Sequence, residues 1–232
     1  MYSLIYGLFA LAHLLLTYWL YRIYKGTGVA IALALLIPQA GLVYDNGIVA
    51  LGHVIGFGET LKALNWPRFW IHWIFGAWLI IGAGAVLRLA DIQWAKPKWV
   101  MATFCLLTVA LIGYDLKLFW TTSLYPVCEL DLVRYSTTSS ASKLCSPDQP
   151  IVKGEFPVAS VLACVVVIFA GAVVMIWRKF PWMFLGGVVM FFAATPPLMK
   201  LKLDQFGEIL ITGGVIWAIA RFAPQRRNDA RA

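Results

Sequence analysis

An all-α, polytopic membrane protein with seven transmembrane helices is the fold class this sequence predicts, and three observations predict it. Of 232 residues, 61% are hydrophobic and 13% charged, where a soluble domain is about half apolar and about a quarter charged. Mean hydropathy is +0.79. Several apolar runs approach the roughly 20 residues needed to cross a hydrocarbon core of about 30 Å.

Runs bounded by charge or Pro place helices over 4–21, 29–44, 69–89, 99–119, 158–177, 182–198 and 209–222. The first lacks the basic n-region and small-residue cleavage site of a signal peptide, so it is expected as a mature helix. The second carries Pro38 and ends at Asp45 and Asn46. Between it and the third lies "GIVALGHVIGFGETLKALNW", residues 47–66, which reads as a short re-entrant or interfacial segment. Its Gly47, Gly52, Gly56 and Gly58 recur at near-helical spacing, which suits close packing, and also suits irregular backbone held against protein or water. Within it Glu59 can pair with Lys62 three residues on. Pro67 is expected to open the third helix, with Asn65 as its N-cap.

The fourth helix brings Asp115 and Lys117 toward its end, and a long connection over 120–157 follows. That connection is rich in Ser and Thr and contains Pro147 and Pro150, so irregular surface structure is expected there. It also holds Cys128 and Cys145, whereas Cys105 and Cys164 fall inside apolar helices. Lys200, Lys202, Asp204 and Glu208 join the last two helices, and 223–232 form a basic tail. No repeat and no second domain is visible, so 1–232 reads as one helical domain.

Orientation follows from Lys and Arg. One set of connections holds eleven basic and two acidic residues, net +9; the other holds eight basic and nine acidic, net −1. The C-terminus is therefore expected in the cytoplasm and the N-terminus outside, at an inner membrane if the source is bacterial. An oxidising outer compartment would let Cys128 and Cys145 pair as a disulfide. The basic pI of 9.4 reflects topology. Its charges are dispersed over short connections, so no nucleic-acid partner is expected. Membrane lipids are the expected surroundings.

Most ionisable groups near the membrane share one end of the bundle. Charged groups at depth cost about 2.5–3.5 kcal/mol on insertion scales and point to function. Asp45, Glu59, His72 and Asp115 are the candidate catalytic residues, as acid–base groups. Asn46, His53, Asn65, Arg68, Lys200 and Lys202 are the candidate substrate-binding residues. Arg68 and His72, four apart on one helix face, suit an anionic group. The plainer alternative for Asp45 is an ion pair with Arg68 that only closes the turn. His13, mid-helix, is expected to hydrogen-bond a neighbouring helix.

No Walker loop, His-Glu-x-x-His or Gly-x-Ser-x-Gly occurs, so the common ATPase, metalloprotease and serine-hydrolase readings have no support. The three histidines show no ligand spacing, so no metal site is expected; the sequence names no cofactor. Three functions stay open: an enzyme acting on a lipid or isoprenoid substrate by acid–base chemistry at the outer end, a small-molecule permease, and a non-catalytic assembly subunit. In size and helix count the chain is similar to the membrane-bound terpene cyclases of meroterpenoid pathways. That likeness rests on architecture, without an aligned motif, and implies membrane-embedded acids.

Overall fold

The computed structural model describes residues 1–154, 157–195 and 203–224. The chain is mostly helical: α1 (Tyr2–Thr27), α2 (Ala30–Ile55), α3 (Glu59–Phe75), α4 (Trp78–Leu89), α5 (Lys98–Asp115), α6 (Leu118–Thr121), α7 (Val158–Arg178), α8 (Trp182–Ala193) and α9 (Leu203–Phe222). Two strands, β1 (Tyr125–Glu129) and β2 (Leu132–Ser136), precede α7. By length and composition four helical stretches can cross a membrane: α1, α2, α5 with α6, and α7. A fifth is added if α3 and α4, bent by 41° at a short break, are taken as one span. The apolar α8, at 12 residues, is shorter than a span requires.

Residues 47–66 are not a separate element. Helix α2 runs on through Ile55, and α3 begins at Glu59, so the polar stretch is two helix ends and a tight turn. Gly56 makes that turn at φ 76° and ψ 167°, a conformation that only glycine adopts without strain. Pro67 lies inside α3, and Asn65 is a helix-interior residue rather than its N-cap. Proline inside a helix frees the carbonyl four residues back, and neighbouring side chains meet such backbone groups in membrane bundles. Here the Tyr44 hydroxyl donates to the Leu64 carbonyl, at 2.8 Å, in the turn just before Pro67.

The long connection is not wholly irregular either. Its "YPVCELDLVRYS" pairs β1 with β2 antiparallel, Cys128 opposite Val133 and Glu129 opposite Leu132. Val127 and Leu132 are buried, and Leu132 packs with Tyr6 of α1 and Val49 of α2. Period-two alternation of Val, Leu and Tyr was the signal for this hairpin. Cys128 and Cys145 are joined by a disulfide, as their placement in one loop predicted.

Two docking contacts set the hairpin on the bundle. At Gly52 a Cβ would collide with the Val133 carbonyl, so the strand lies on bare helix backbone. Asp131, at the hairpin turn, accepts from the backbone N–H groups of Tyr2 (2.9 Å) and Ser3 (3.1 Å) and pairs with the Met1 ammonium. A carboxylate thus satisfies the orphan amides of the first turn of α1, where the helix dipole also favours it. The N-terminus and the disulfide loop accordingly share one end. At the opposite end Arg178 donates to the carbonyls of Ala90 and Asp91, and Asp91 pairs with Lys96 at 2.6 Å.

The main core gathers residues of α1, α2, α4, α7, α8 and α9 around Leu20, Leu35, Val86, Val167, Met183 and Ile216. Close helix approach depends on glycine: a Cβ at Gly186 would meet the Leu210 backbone of α9, and one at Gly171 the Phe184 backbone of α8.

Candidate functional site

Near the hairpin end, α2, α3 and α9 bring polar side chains into the bundle. Helical spacing makes the site. Arg68 and His72, four apart, project from one face of α3 toward Asp45 on α2. Asp45 is 2% exposed and divides its carboxylate. Oδ1 accepts from Arg68 Nε at 2.6 Å, and Oδ2 lies 3.5 Å from His72 Nε2. Arg68 Nη1 donates to Asn65 Oδ1 at 2.6 Å, and Asn65 Nδ2 donates to the Leu61 carbonyl at 2.7 Å. The guanidinium is thereby held by two side chains through two of its five N–H donors.

His72 stands between two cavities. The inner one, of about 110 Å³, is lined mainly by apolar residues of α2, α3, α7 and α9, with Gln39, His72, Ser160, Glu208 and Thr212 as its polar members. The outer one, about 510 Å³, is lined by His72, Asp115, Tyr125, Thr138, Lys153 and neighbouring hydroxyls. His72 and Ser160 belong to both linings. A dry cavity of about 150 Å³ holds one benzene, so the inner chamber fits a fragment of roughly one isoprene unit.

The sequence-predicted residues separate on the structure. Asp45, Asn65, Arg68 and His72 converge, and Asp115 faces the outer cavity with His72. Glu59 does not join them; its side chain is exposed and 3.8 Å from Lys62, the helical pair its spacing predicted. His53 is exposed, near its own helix's Ala50 carbonyl. Asn46 is fully buried beside the cluster, with Nδ2 on the Leu42 carbonyl at 3.0 Å and Oδ1 unpartnered. Lys200 and Lys202 lie outside the described residues.

Sequence reasoning missed Gln39 and Glu208. Gln39 Nε2 is 2.9 Å from His13 Nδ1, so the mid-helix histidine bonds a neighbouring helix as expected. Glu208 was counted with a connection because the last span was started at Ile209; α9 begins six residues earlier. The missed signal was the spacing Asp204, Glu208, Ile211, Thr212 and Val215, one face of a helix; its last four members line the inner cavity.

Outside the spanning segments two carboxylates are displaced. The Met1 ammonium, with the Ser3 amide, holds Asp131 well below the usual carboxylate range, and Lys96 lowers Asp91. Among the described residues no group of three or more His, Cys, Asp or Glu is placed to hold a metal ion.

Compared with known protein families, with curated proteins and with solved structures, the chain matches none.

Proposed function

We propose that this protein is a membrane-embedded enzyme that acts on a lipid or isoprenoid substrate by acid–base chemistry at the hairpin end of the bundle. One observation carries the reading: His72, oriented by a carboxylate that Arg68 holds in place, stands where an apolar chamber meets a wider, more polar one. An amphiphilic substrate fits such a pair of chambers, its tail inside and its polar part outside. A histidine is suited to moving a proton near neutral pH. Asp45 is spent on Arg68 and His72, which makes it a positioning residue rather than the acid. Glu208, on the inner wall, is the second proton-transfer group.

The same reading takes the chain as a single domain of seven spans, N-terminus and hairpin outside, C-terminus in the cytoplasm. The shared end of Met1 and the Cys128–Cys145 bridge supports that orientation, since disulfides persist in oxidising compartments.

The test is lipid profiling of a deletion strain complemented with wild type, with His72→Gln or with Glu208→Gln. A lipid that accumulates on deletion is expected to vanish with wild type and to persist with His72→Gln expressed at equal level. Full complementation by His72→Gln overturns the assignment.

A further inference from the structure

Of the six buried side-chain atoms left without partners among the described residues, four are oxygens. Among the described residues, Asn46 Oδ1, Asp204 Oδ1, Gln205 Oε1 and Glu208 Oε2 are buried with no hydrogen-bond partner. Leaving such a group unsatisfied is costly, and more so for a charged one. Their positions are one helical turn apart. Glu208 lines the cavity, with Asp204 four residues and Gln205 three residues toward the outer end of α9. Asn46 follows the lining residue Leu42 by four on α2, and its residue is fully buried. Glu208 is also within electrostatic reach of Asp45, His72, Asp204 and Arg68, which gathers these groups in one neighbourhood.

Charge points the same way. Arg68 is balanced by Asp45, so among the described residues Glu208 on the lining and Asp204 one turn away set two carboxylates against the single histidine His72. Two orphaned nitrogens complete the set: His13 Nε2 on α1, whose ring bonds the cavity-lining Gln39, and Arg134 Nε on the hairpin, whose guanidinium faces Glu129. The sequence expectation of an anionic head held by Arg68 and His72 therefore does not fit. What the rim calls for is positive charge with several N–H donors, and an ammonium supplies three.

We propose that the inner cavity, from Leu42 and Glu208 inward to Val215, binds the ammonium head and short apolar stem of an amphiphilic amine. The inference rests on the enzyme reading for the idea that the chamber takes substrate, and it narrows that substrate to an amine. The head lies against Glu208 on the cavity wall, with the unpartnered oxygens of Asp204 and Gln205 one helical turn beyond it, and the stem lies among Leu35, Ile211 and Ile216.

The experiment measures binding to the full chain in lipid nanodiscs by calorimetry. The probes are n-butylammonium and n-hexylammonium, with 1-hexanol, hexyl sulfate and sodium chloride as comparisons. Hexylammonium is expected to bind at least about tenfold more tightly than hexanol or hexyl sulfate. Each added methylene is expected to strengthen binding about three- to fourfold, the value of burying one CH₂. Glu208→Gln should weaken hexylammonium at least about tenfold, and Ile211→Trp, which fills the chamber, should remove the chain-length dependence. Asp204→Asn carries the same comparison where Glu208→Gln does not fold. Hexyl sulfate binding as well as the amine, sodium competing with no effect of chain length, or no amine binding at all each overturns the proposal. Lipid turnover that requires His72 without amine binding removes this inference alone. Amine binding without His72-dependent turnover removes the enzyme reading alone.

Discussion

Asp45 and Arg68 form a buried ion pair across the α2–α3 turn, 2.6 Å apart, with both side chains nearly inaccessible. The geometry joins two readings that the sequence set against each other, since the residue that closes the turn also holds His72. Removing one partner of a buried pair costs about 3–5 kcal/mol, because the other charge is left unpaired. Asp45→Asn is therefore expected to lower the apparent unfolding temperature sharply in mild detergent, and Asp45→Asn with Arg68→Gln to recover most of it. Recovered stability without recovered activity fits Asp45 as the group that orients His72. Recovery of both leaves it a purely structural residue.

Gly52 is the floor on which the hairpin rests. Gly52→Val should push the Val133 carbonyl away, an overpacking cost of about 1–3 kcal/mol. Limited proteolysis should then cut the hairpin in the variant while sparing it in the parent protein. Equal resistance would show that the strand has room to shift.

The Cys128–Cys145 bridge closes a segment with a sequence separation of 17. Chain-entropy reasoning assigns such a loop about 3 kcal/mol. Maleimide mass-tagging under denaturing conditions should reveal two further thiols only after reduction. Cys145→Ser should lower thermal stability without altering helix content by circular dichroism.

Asp131 carries a pH signature. Its folded pKa lies below its unfolded one, held there by the Met1 ammonium. Its contribution is thus fully present above the unfolded value of about 3.9 and lost as pH falls through the folded value. The stability gap between the parent protein and Asp131→Asn should stay constant between about pH 5 and pH 7, where both partners are charged, and narrow as the medium is acidified below about pH 4. A gap that does not change on acidification rules the ion pair out as its source.

Helical character was legible in the apolar runs, but the expected spans 69–89 and 99–119 each divide between two helices, and the described part of 182–198 is helical only to Ala193. The ends were not. Asp45 and Asn46 were read as a terminus because polar residues end most spans, yet α2 carries them as interior positions with buried partners. Their cost is offset by contacts with α3 that no local pattern records. The pairing of Asp45, Arg68 and His72 was readable because only a short turn separates their helices. Glu208 reaches the same site from the far end of the chain, a closeness set by packing rather than spacing.

The contact between Asp131 and the first residues of α1 spans about 130 positions of sequence. In synthesis the carboxylate that completes the opening turn of α1 follows that helix by five further helices and a strand. Until then those amides have no partner from the hairpin. The hairpin is thus a late clasp on an earlier helix, and a chain truncated before Asp131 is expected to leave the first turn of α1 open to hydrogen exchange.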